Sequence, residues 1–194
     1  MLWLLLVLIL LAILLLPGLW VRQVLKKHSA PRDDFPGNGG EMALHLINKF
    51  GLKRVKVEET AAGDHYDPTT RTVRLTKDKL EGKSLTAVVV AAHEVGHAIQ
   101  HAHGESLFSL RTGMATVTYW MQRVAPVALL LSPLLLTVSP PLARLLLIFA
   151  VGAMLMSTLM HLITLPVEWD ASFGKALPAL EQGDYLDAED MRNA

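Results

Sequence analysis

The chain has 194 residues, enough for one domain plus membrane segments, and 52% of them are hydrophobic, which is high for a soluble protein. Its 18 lysines and arginines balance 18 aspartates and glutamates, so no global charge indicates a nucleic-acid partner. It has no cysteine, which excludes disulfides and thiolate zinc ligands. Any bound metal therefore depends on histidine, carboxylate or water.

The chain begins with an almost unbroken apolar run from Leu2 to Trp20. A helix rising ~1.5 Å per residue over this length can cross the ~30 Å core of a bilayer. Trp3 and Trp20 stand where interfacial aromatic residues are usually found. A cleaved signal peptide is the alternative, but no basic residue precedes the run and its end lacks a small-x-small cleavage site. We therefore predict an uncleaved transmembrane anchor over residues 1–21.

Basic residues follow the anchor at once: Arg22, Lys26, Lys27 and Arg32. By the positive-inside rule, this flank lies on the cytoplasmic side. Residues 30–40 are rich in proline and glycine and indicate a linker. We place one domain at residues 22–112 and expect it on the cytoplasmic side of the membrane.

Within this domain, residues 41–50 predict an amphipathic helix, and 53–59 and 71–76 predict two strands joined through a turn at 64–68. We expect the sheet to be antiparallel. Exposed edge strands bind extended substrates in many peptidases, but the apolar residues of the second strand can equally pack on the following helix. His65 and Tyr66 lie in the predicted turn, where they are either turn residues or candidates for contact with the metal or the substrate.

The central motif lies in residues 84–101, SLTAVVVAAHEVGHAIQH. On a helix, residues four apart lie one above the other, so His93 and His97 face one point and can chelate one zinc ion. Glu94 can take a proton from a zinc-bound water, as in H-E-x-x-H peptidases. An ordinary amphipathic helix with two surface histidines is the alternative. Apolar residues surround the motif, however, and unpartnered ionisable groups are costly there.

Two further apolar segments follow at 115–138 and 142–166, separated by Ser139-Pro140-Pro141. We interpret residues 113–166 as a transmembrane helical hairpin, with a buried soluble hairpin as the alternative. Two crossings return the chain to the side of the motif. His161 lies inside the second segment, where it is either a functional residue or forms a hydrogen bond between helices.

The residues leave the third ligand of a catalytic zinc site open. His101 lies eight residues after His93, ~12 Å along a helix axis, too far to share an ion. His103 stands at the third histidine of the longer pattern H-E-x-x-H-x-x-G-x-x-H, but Gln100 replaces the glycine that this pattern needs. Glu168 follows the last apolar segment, on the side of the motif, and can complete a His, His, Glu set.

Residues 170–194 are polar, and we predict a helix over 171–181. Asp170 stands two residues after Glu168. Its carboxylate can orient a histidine ligand, or it can simply mark the start of the helix. The charged residues at 189–192 are expected on a solvated face.

Four sequence blocks carry a family resemblance: GGEMALHLINKFGL, DHYDPTTRTVRL, VVVAAHEVGHAIQHA and LPVEWDAS. In this order they resemble the YugP-like family of bacterial membrane zinc metallopeptidases, which is similar in outline to HtpX-type peptidases. The resemblance implies zinc ligands at His93, His97 and Glu168, with Glu94 as the base. Family members usually continue into a further apolar helix, whereas this chain ends at Ala194.

Together these observations predict a mainly α protein with multi-pass membrane helices and a small α+β zincin-like catalytic domain. Residues 167–194 supply the third-ligand segment and a C-terminal helix. We expect a membrane-anchored endopeptidase with one zinc ion per chain and protein or peptide substrates. We expect it in the bacterial inner membrane, with its active site on the cytoplasmic side. A zinc-dependent membrane scaffold or chaperone-like factor that does not cut its clients is the alternative.

Overall fold

The protein is mainly helical with one small sheet, as seen in a computed structural model that describes residues 2–194. The helices are α1 (Leu2–Lys27), α2 (Gly39–Lys49), α3 (Lys77–Leu80), α4 (Leu85–Ala102), α5 (Ser106–Leu135), α6 (Pro140–Trp169), α7 (Leu177–Gln182) and α8 (Ala188–Asn193). The strands are β1 (Lys56–Glu59), β2 (His65–Asp67) and β3 (Thr72–Leu75). A π-helical segment, Asp170–Ala176, directly follows α6. The prediction of a mainly α chain with a small sheet is confirmed; Met1, within the predicted anchor, lies outside the described residues.

The chain divides into two compact units, and the boundary falls inside helix α4. One unit comprises the described residues through Val95 together with Ala176–Ala194. The other unit is Gly96–Lys175. Because α4 is one continuous helix, the histidines at 93 and 97 keep a fixed helical spacing across this boundary.

The sheet of the first unit has the strand order β1-β3-β2. Strand β2 pairs antiparallel with β3, but β1 pairs parallel with β3, so the prediction of an antiparallel pair formed by the first and last strands was wrong. Val73 and Leu75 are completely buried on β3, whereas β1 is a largely exposed strand of charged residues. The most apolar strand therefore takes the centre of the sheet, and the chain must cross over to reach it. The side chains of Val73 and Leu75 belong to the core.

The predicted turn at 64–68 was also wrong, because residues 65–67 form β2. The turn starts later, where Asp67 Oδ1 accepts a hydrogen bond from the backbone N–H of Thr69 at 2.9 Å. Arg71 completes it with a left-handed φ of 55°. Asp64 Oδ1 accepts hydrogen bonds from the N–H and hydroxyl groups of Thr76, at 2.6 and 2.8 Å. The acidic residues of this segment thus hold the hairpin of β2 and β3.

Helix α2 begins earlier than predicted because Asn38 caps it. The Asn38 side chain accepts from the N–H of Glu41, and the Glu41 carboxylate accepts from the N–H of Asn38, each at 2.8 Å. A Cβ at Gly39 would lie 2.3 Å from the Lys79 carbonyl oxygen and 2.7 Å from that of Ala87. Only glycine allows the start of α2 to approach these backbones so closely.

At the C-terminal end, Glu189 and Arg192 are exposed, as predicted for a solvated face, whereas Asp190 is not. Asp190 is buried, and its carboxylate accepts two hydrogen bonds from the Arg32 guanidinium, at 2.7 and 2.8 Å. This bidentate pair joins the linker after α1 to helix α8. The predicted C-terminal helix is divided into the π-helical segment and α7, which ends at Gln182 with Gly183 as its C-cap.

The second unit contains the hairpin of α5 and α6. Its buried positions are mostly small, including Ala125, Ala128, Ala150 and Ala153, while its large apolar residues are exposed. Gln122 Nε2 donates a hydrogen bond to Ser157 Oγ across the hairpin at 2.7 Å. Small residues inside and large apolar residues outside are typical of helices that face lipid.

Two of the described helices are long and apolar enough to cross a membrane. One covers Trp3–Lys27, and the other begins at Pro140 and continues through the π-helical segment to Gln182. Helix α5 does not reach this measure, because polar residues such as Gln122 and Arg123 interrupt its apolar sequence. The composition therefore supports a membrane-crossing role for only one helix of the predicted hairpin.

Candidate metal centre

Helix α4 carries the H-E-x-x-H motif in a buried stretch of the chain. The motif residues Glu94 and His97 are only 7% and 5% exposed, and His93 is half-buried. Alanines and valines at the helix positions around them are also buried. Because α4 is continuous, the two histidines lie on successive turns of one face, as the sequence spacing predicts. This burial contradicts the alternative of two surface histidines.

Glu168 joins the two histidines. Helix α6 runs on through Pro166 to Trp169, which brings the Glu168 carboxylate to α4. Its Oε2 lies 3.2 Å from Nε2 of His97. Ligand atoms of His93, His97 and Glu168 all lie within 4.8 Å of one another, the single such cluster of histidine and acidic residues among residues 2–194. Their role as metal ligands stays a prediction.

The alternative ligands lie outside this cluster. His103 is exposed at the end of α4, and His65 forms a hydrogen bond between its Nδ1 and the carbonyl oxygen of Gly63 at 2.8 Å. His101 stacks on Phe108, with ring centroids 5.6 Å apart. His161 is exposed on α6, and neither of its two predicted roles is tested by its position.

A chain of hydrogen bonds orients His97. Its Nδ1 lies 2.9 Å from Oε1 of Gln100, which is almost completely buried. The Gln100 amide nitrogen donates to Asp170 Oδ2 at 2.8 Å and to the Val167 carbonyl oxygen at 2.9 Å. Asp170 is thus linked to the His97 ring through Gln100, a residue that was not predicted at the site, and the role of Asp170 in orienting a histidine ligand stays a prediction.

The residues of the cluster fit a zinc ion. A neutral His97 that donates from Nδ1 to Gln100 has a lone pair on Nε2, and this lone pair faces a carboxylate oxygen of Glu168 at 3.2 Å. Either a proton on Nε2 or a metal ion between the two atoms stabilises this approach. In a tetrahedral zinc site with bonds of ~2.0–2.1 Å, ligand atoms are roughly 3.3–3.4 Å apart. The donor types and the distance between His97 and Glu168 therefore fit a His, His, Glu zinc site.

Arg111 of α5 is a second residue at the site that the sequence analysis missed. Its Nη2 lies 2.9 Å from Oε1 of Glu168, the oxygen that does not face His97. The two carboxylate oxygens thus have separate partners. Such an ion pair restricts the rotation of the Glu168 side chain and leaves a single oxygen directed at the cluster.

The glycine of the motif has a structural explanation. A Cβ added at Gly96 would lie 2.6 Å from the carbonyl oxygen of Ala171, which belongs to the π-helical segment just after Glu168. A π-helical turn often marks a functional site. The close approach of α4 to this segment lets a residue on each reach the same cluster, and it leaves no room for a side chain at position 96.

We expect Gly96→Ala to destabilise the protein by about 1–3 kcal/mol, the usual cost of overpacking. Alanine is otherwise the better helix former by roughly 0.5–1 kcal/mol. Gly113→Ala is the matched control, because a Cβ there would meet no atom within 4 Å. Thermal unfolding in detergent tests the pair, and we expect a lower Tm than that of the wild type for Gly96→Ala only. A Tm of Gly96→Ala equal to or above that of the wild type would contradict the close approach of α4 to Ala171.

Tyr66 lies on β2 rather than in a turn, and it is 8% exposed. Burial raises the pKa of its phenol to about 12. The hydroxyl group therefore stays protonated at physiological pH and can act only as a neutral hydrogen-bonding group. A role of Tyr66 at the oxyanion stays a prediction.

Comparison with known proteins gives a consistent result. Residues 3–194 match the model of a family described as "Putative neutral zinc metallopeptidase". A curated relative, "Putative membrane protease YugP" of Bacillus subtilis (strain 168), is 35% identical over 156 residues. The shared region covers 78% of this chain and 66% of the relative, so the chain spans about two thirds of the relative's length. No solved structure matches the chain.

Proposed function

The chain belongs to the neutral zinc metallopeptidase family, and on this basis we propose that it is a membrane-anchored, zinc-dependent endopeptidase. Its membership agrees with the resemblance to YugP-like proteins found in the sequence. The observation that carries the proposal is the cluster of His93, His97 and Glu168 next to the buried carboxylate of Glu94. One ion per chain, three protein ligands and an adjacent acid are what a hydrolytic zinc site requires.

In this proposal His93, His97 and Glu168 hold the zinc ion. The ion, when bound, would activate a water molecule and polarise the carbonyl of the scissile peptide bond. Glu94 accepts the proton of the attacking water and then donates it to the leaving amine nitrogen. Arg111 and Gln100 restrict Glu168 and His97, so that the ligand atoms are held in place before metal binds. The substrates are proteins or peptides.

The direct test is hydrolysis of a mixed library of proteome-derived peptides, with products identified by mass spectrometry. We expect purified protein in detergent to contain one zinc ion per chain and to generate new peptide ends. Removal of the metal by a chelator should abolish this activity, and added zinc should restore it. A fully zinc-loaded protein without chelator-sensitive products would contradict the peptidase assignment and favour the non-cleaving scaffold.

The proposal places the protein in the bacterial inner membrane as a multi-pass protein with its site on the cytoplasmic side. The length of α1 and the apolar exterior of α6 support the membrane location. Lys26 and Lys27 in the last turn of α1 support a cytoplasmic position for its C-terminal end. If α5 and α6 both cross, the segment after Trp169 returns to the same side as that end.

The absence of cysteine allows this topology to be tested by single-cysteine labelling in intact cells. We expect Ser139→Cys, between α5 and α6, to react with a membrane-impermeant maleimide from outside. Ser29→Cys, after α1, should react only after the cells are permeabilised. Reaction of both residues from the same side would contradict the multi-pass arrangement.

A further inference from the structure

Gln100 has a side chain whose hydrogen bonds can be satisfied in one orientation only. The amide nitrogen lies 2.9 Å from the Val167 carbonyl oxygen and 2.8 Å from Asp170 Oδ2. A carbonyl oxygen and a carboxylate oxygen both accept hydrogen bonds and cannot donate them. Reversing the amide would set its oxygen against two acceptors in a buried site, where an unsatisfied group is costly. The amide oxygen must therefore face His97.

This orientation determines the protonation of the His97 ring. The Gln100 amide oxygen is an acceptor, so the neutral imidazole must carry its proton on Nδ1, 2.9 Å away. The lone pair then lies on Nε2, the atom that faces Glu168. A metal ion needs this unprotonated nitrogen. With Nε2 protonated instead, His97 could not bind metal through that atom.

A charged network holds the other end of Gln100. The ammonium group of Lys175 lies 3.1 Å from Asp170 Oδ2 and 3.1 Å from Glu105 Oε1. The Asp170 carboxylate, which accepts the hydrogen bond of the Gln100 amide, is thus held by Lys175, and Lys175 is also paired with Glu105 just before α5. Gln100, three residues after His97 on α4, is near enough on the helix to reach the ring.

We propose that Gln100 is a positioning residue, which fixes the tautomer and ring orientation of His97 for metal binding, and that Asp170 and Lys175 hold the Gln100 amide in place. This inference rests on the proposed ligand role of His97. It extends that role to a hydrogen-bonded chain from the ligand to Glu105, through residues that need not touch metal or substrate.

The test measures the tautomer and the zinc affinity of the full chain, without turnover. In zinc-loaded protein with ¹⁵N-labelled histidine, His97 of the wild type should bind the metal through Nε2 and carry its proton on Nδ1. Its signals are assigned by their loss in His97→Gln. Gln100→Met keeps the side-chain length but removes the acceptor, so at the same zinc concentration the population of His97 that is bound through Nε2 and protonated on Nδ1 should fall. Zinc affinity, measured by competition with a chromophoric chelator, should fall by about 10–100-fold.

Two variants serve as comparisons. Asp170→Asn retains an acceptor oxygen for the Gln100 amide, so its zinc affinity should fall less than that of Gln100→Met. Gln122→Met removes an exposed hydrogen bond to Ser157 that lies within the hairpin and outside the metal cluster, and both measurements should stay as in the wild type. Equal melting temperatures of Gln100→Met and Gln122→Met would show that the difference does not come from unfolding.

A wild-type His97 protonated on Nε2 would overturn the proposal. A fall in zinc affinity of Gln100→Met with an unchanged tautomer would also overturn it, because Gln100 would then act through packing alone. The tautomer can be measured even if the protein proves to have no peptidase activity. Failure of this inference and failure of the proposed function are therefore distinguishable.

Discussion

Replacement of Glu94 by glutamine is expected to lower peptide hydrolysis by about 10²–10⁴-fold while the protein keeps its zinc. Glutamine has nearly the same shape as glutamate but cannot accept the proton of the attacking water or return it to the leaving amine. The proposed ligands His93, His97 and Glu168 are unchanged in this variant. In Glu94→Gln, the zinc content measured by mass spectrometry should therefore equal that of the wild type, whereas the rate of peptide cleavage should be lost.

Glu81→Gln is the matched control for this variant. Glu81 is an exposed glutamate at the end of α3, and the same loss of charge there should leave both zinc content and hydrolysis unchanged. If Glu94→Gln cleaves peptides at the rate of the control, Glu94 is not the general base. Loss of zinc in Glu94→Gln would mean that this buried carboxylate supports the metal centre rather than proton transfer.

The part of the site that could be predicted from the sequence is the part set by local helix geometry. The spacing of His93 and His97 determines their common face on α4, whatever the rest of the chain does. Helix geometry alone could not place Glu168 beside the histidines, because it is 71 residues from His97 along the chain. The apolar segment was predicted to end at Pro166, but helix α6 continues through it to Trp169, and this continuation carries Glu168 to α4.

Gln100 and Arg111 could not be assigned in the same way. Each functions through a partner far along the chain: Gln100 through Val167 and Asp170, and Arg111 through Glu168. The local signal in the sequence is a glutamine three residues after a proposed ligand, and it can be interpreted only once the hydrogen-bond acceptors of its amide are known. The sequence pattern alone equally fits a glutamine on the solvated face of the helix.

The errors in the sheet have a similar physical origin. Alternation of side chains indicates strands but contains no information on their order or direction. The buried pair Val73 and Leu75 determined the central position of β3, and the crossover from β1 followed. The acidic residues at 64 and 67 suggested a turn by composition. In the fold they are hydrogen-bond acceptors that hold the hairpin from its flanks.

Replacement of Glu168 by alanine is expected to have the largest effect on metal binding. Loss of a residue that merely supports a ligand lowers metal affinity by about 10–100-fold. Loss of the only anionic ligand in a His, His, Glu set should exceed this, because the two remaining imidazoles are neutral and one coordination position opens. The same substitution leaves Arg111 without the carboxylate it contacts at 2.9 Å, which places an uncompensated positive charge beside the site.

A second substitution separates these two contributions. Arg111→Met keeps Glu168 but removes the ion pair, so its effect on zinc affinity should stay within the range of a supporting residue. Glu181→Ala, an exposed glutamate of α7, should change nothing. At one fixed free zinc concentration we expect one ion per chain in the wild type and in Glu181→Ala, and a clear loss in Glu168→Ala. If Glu168→Ala still binds one zinc ion per chain, Glu168 is not a ligand, and His103 or His65 becomes the candidate for the third ligand. The hairpin would then no longer be needed to complete the metal site.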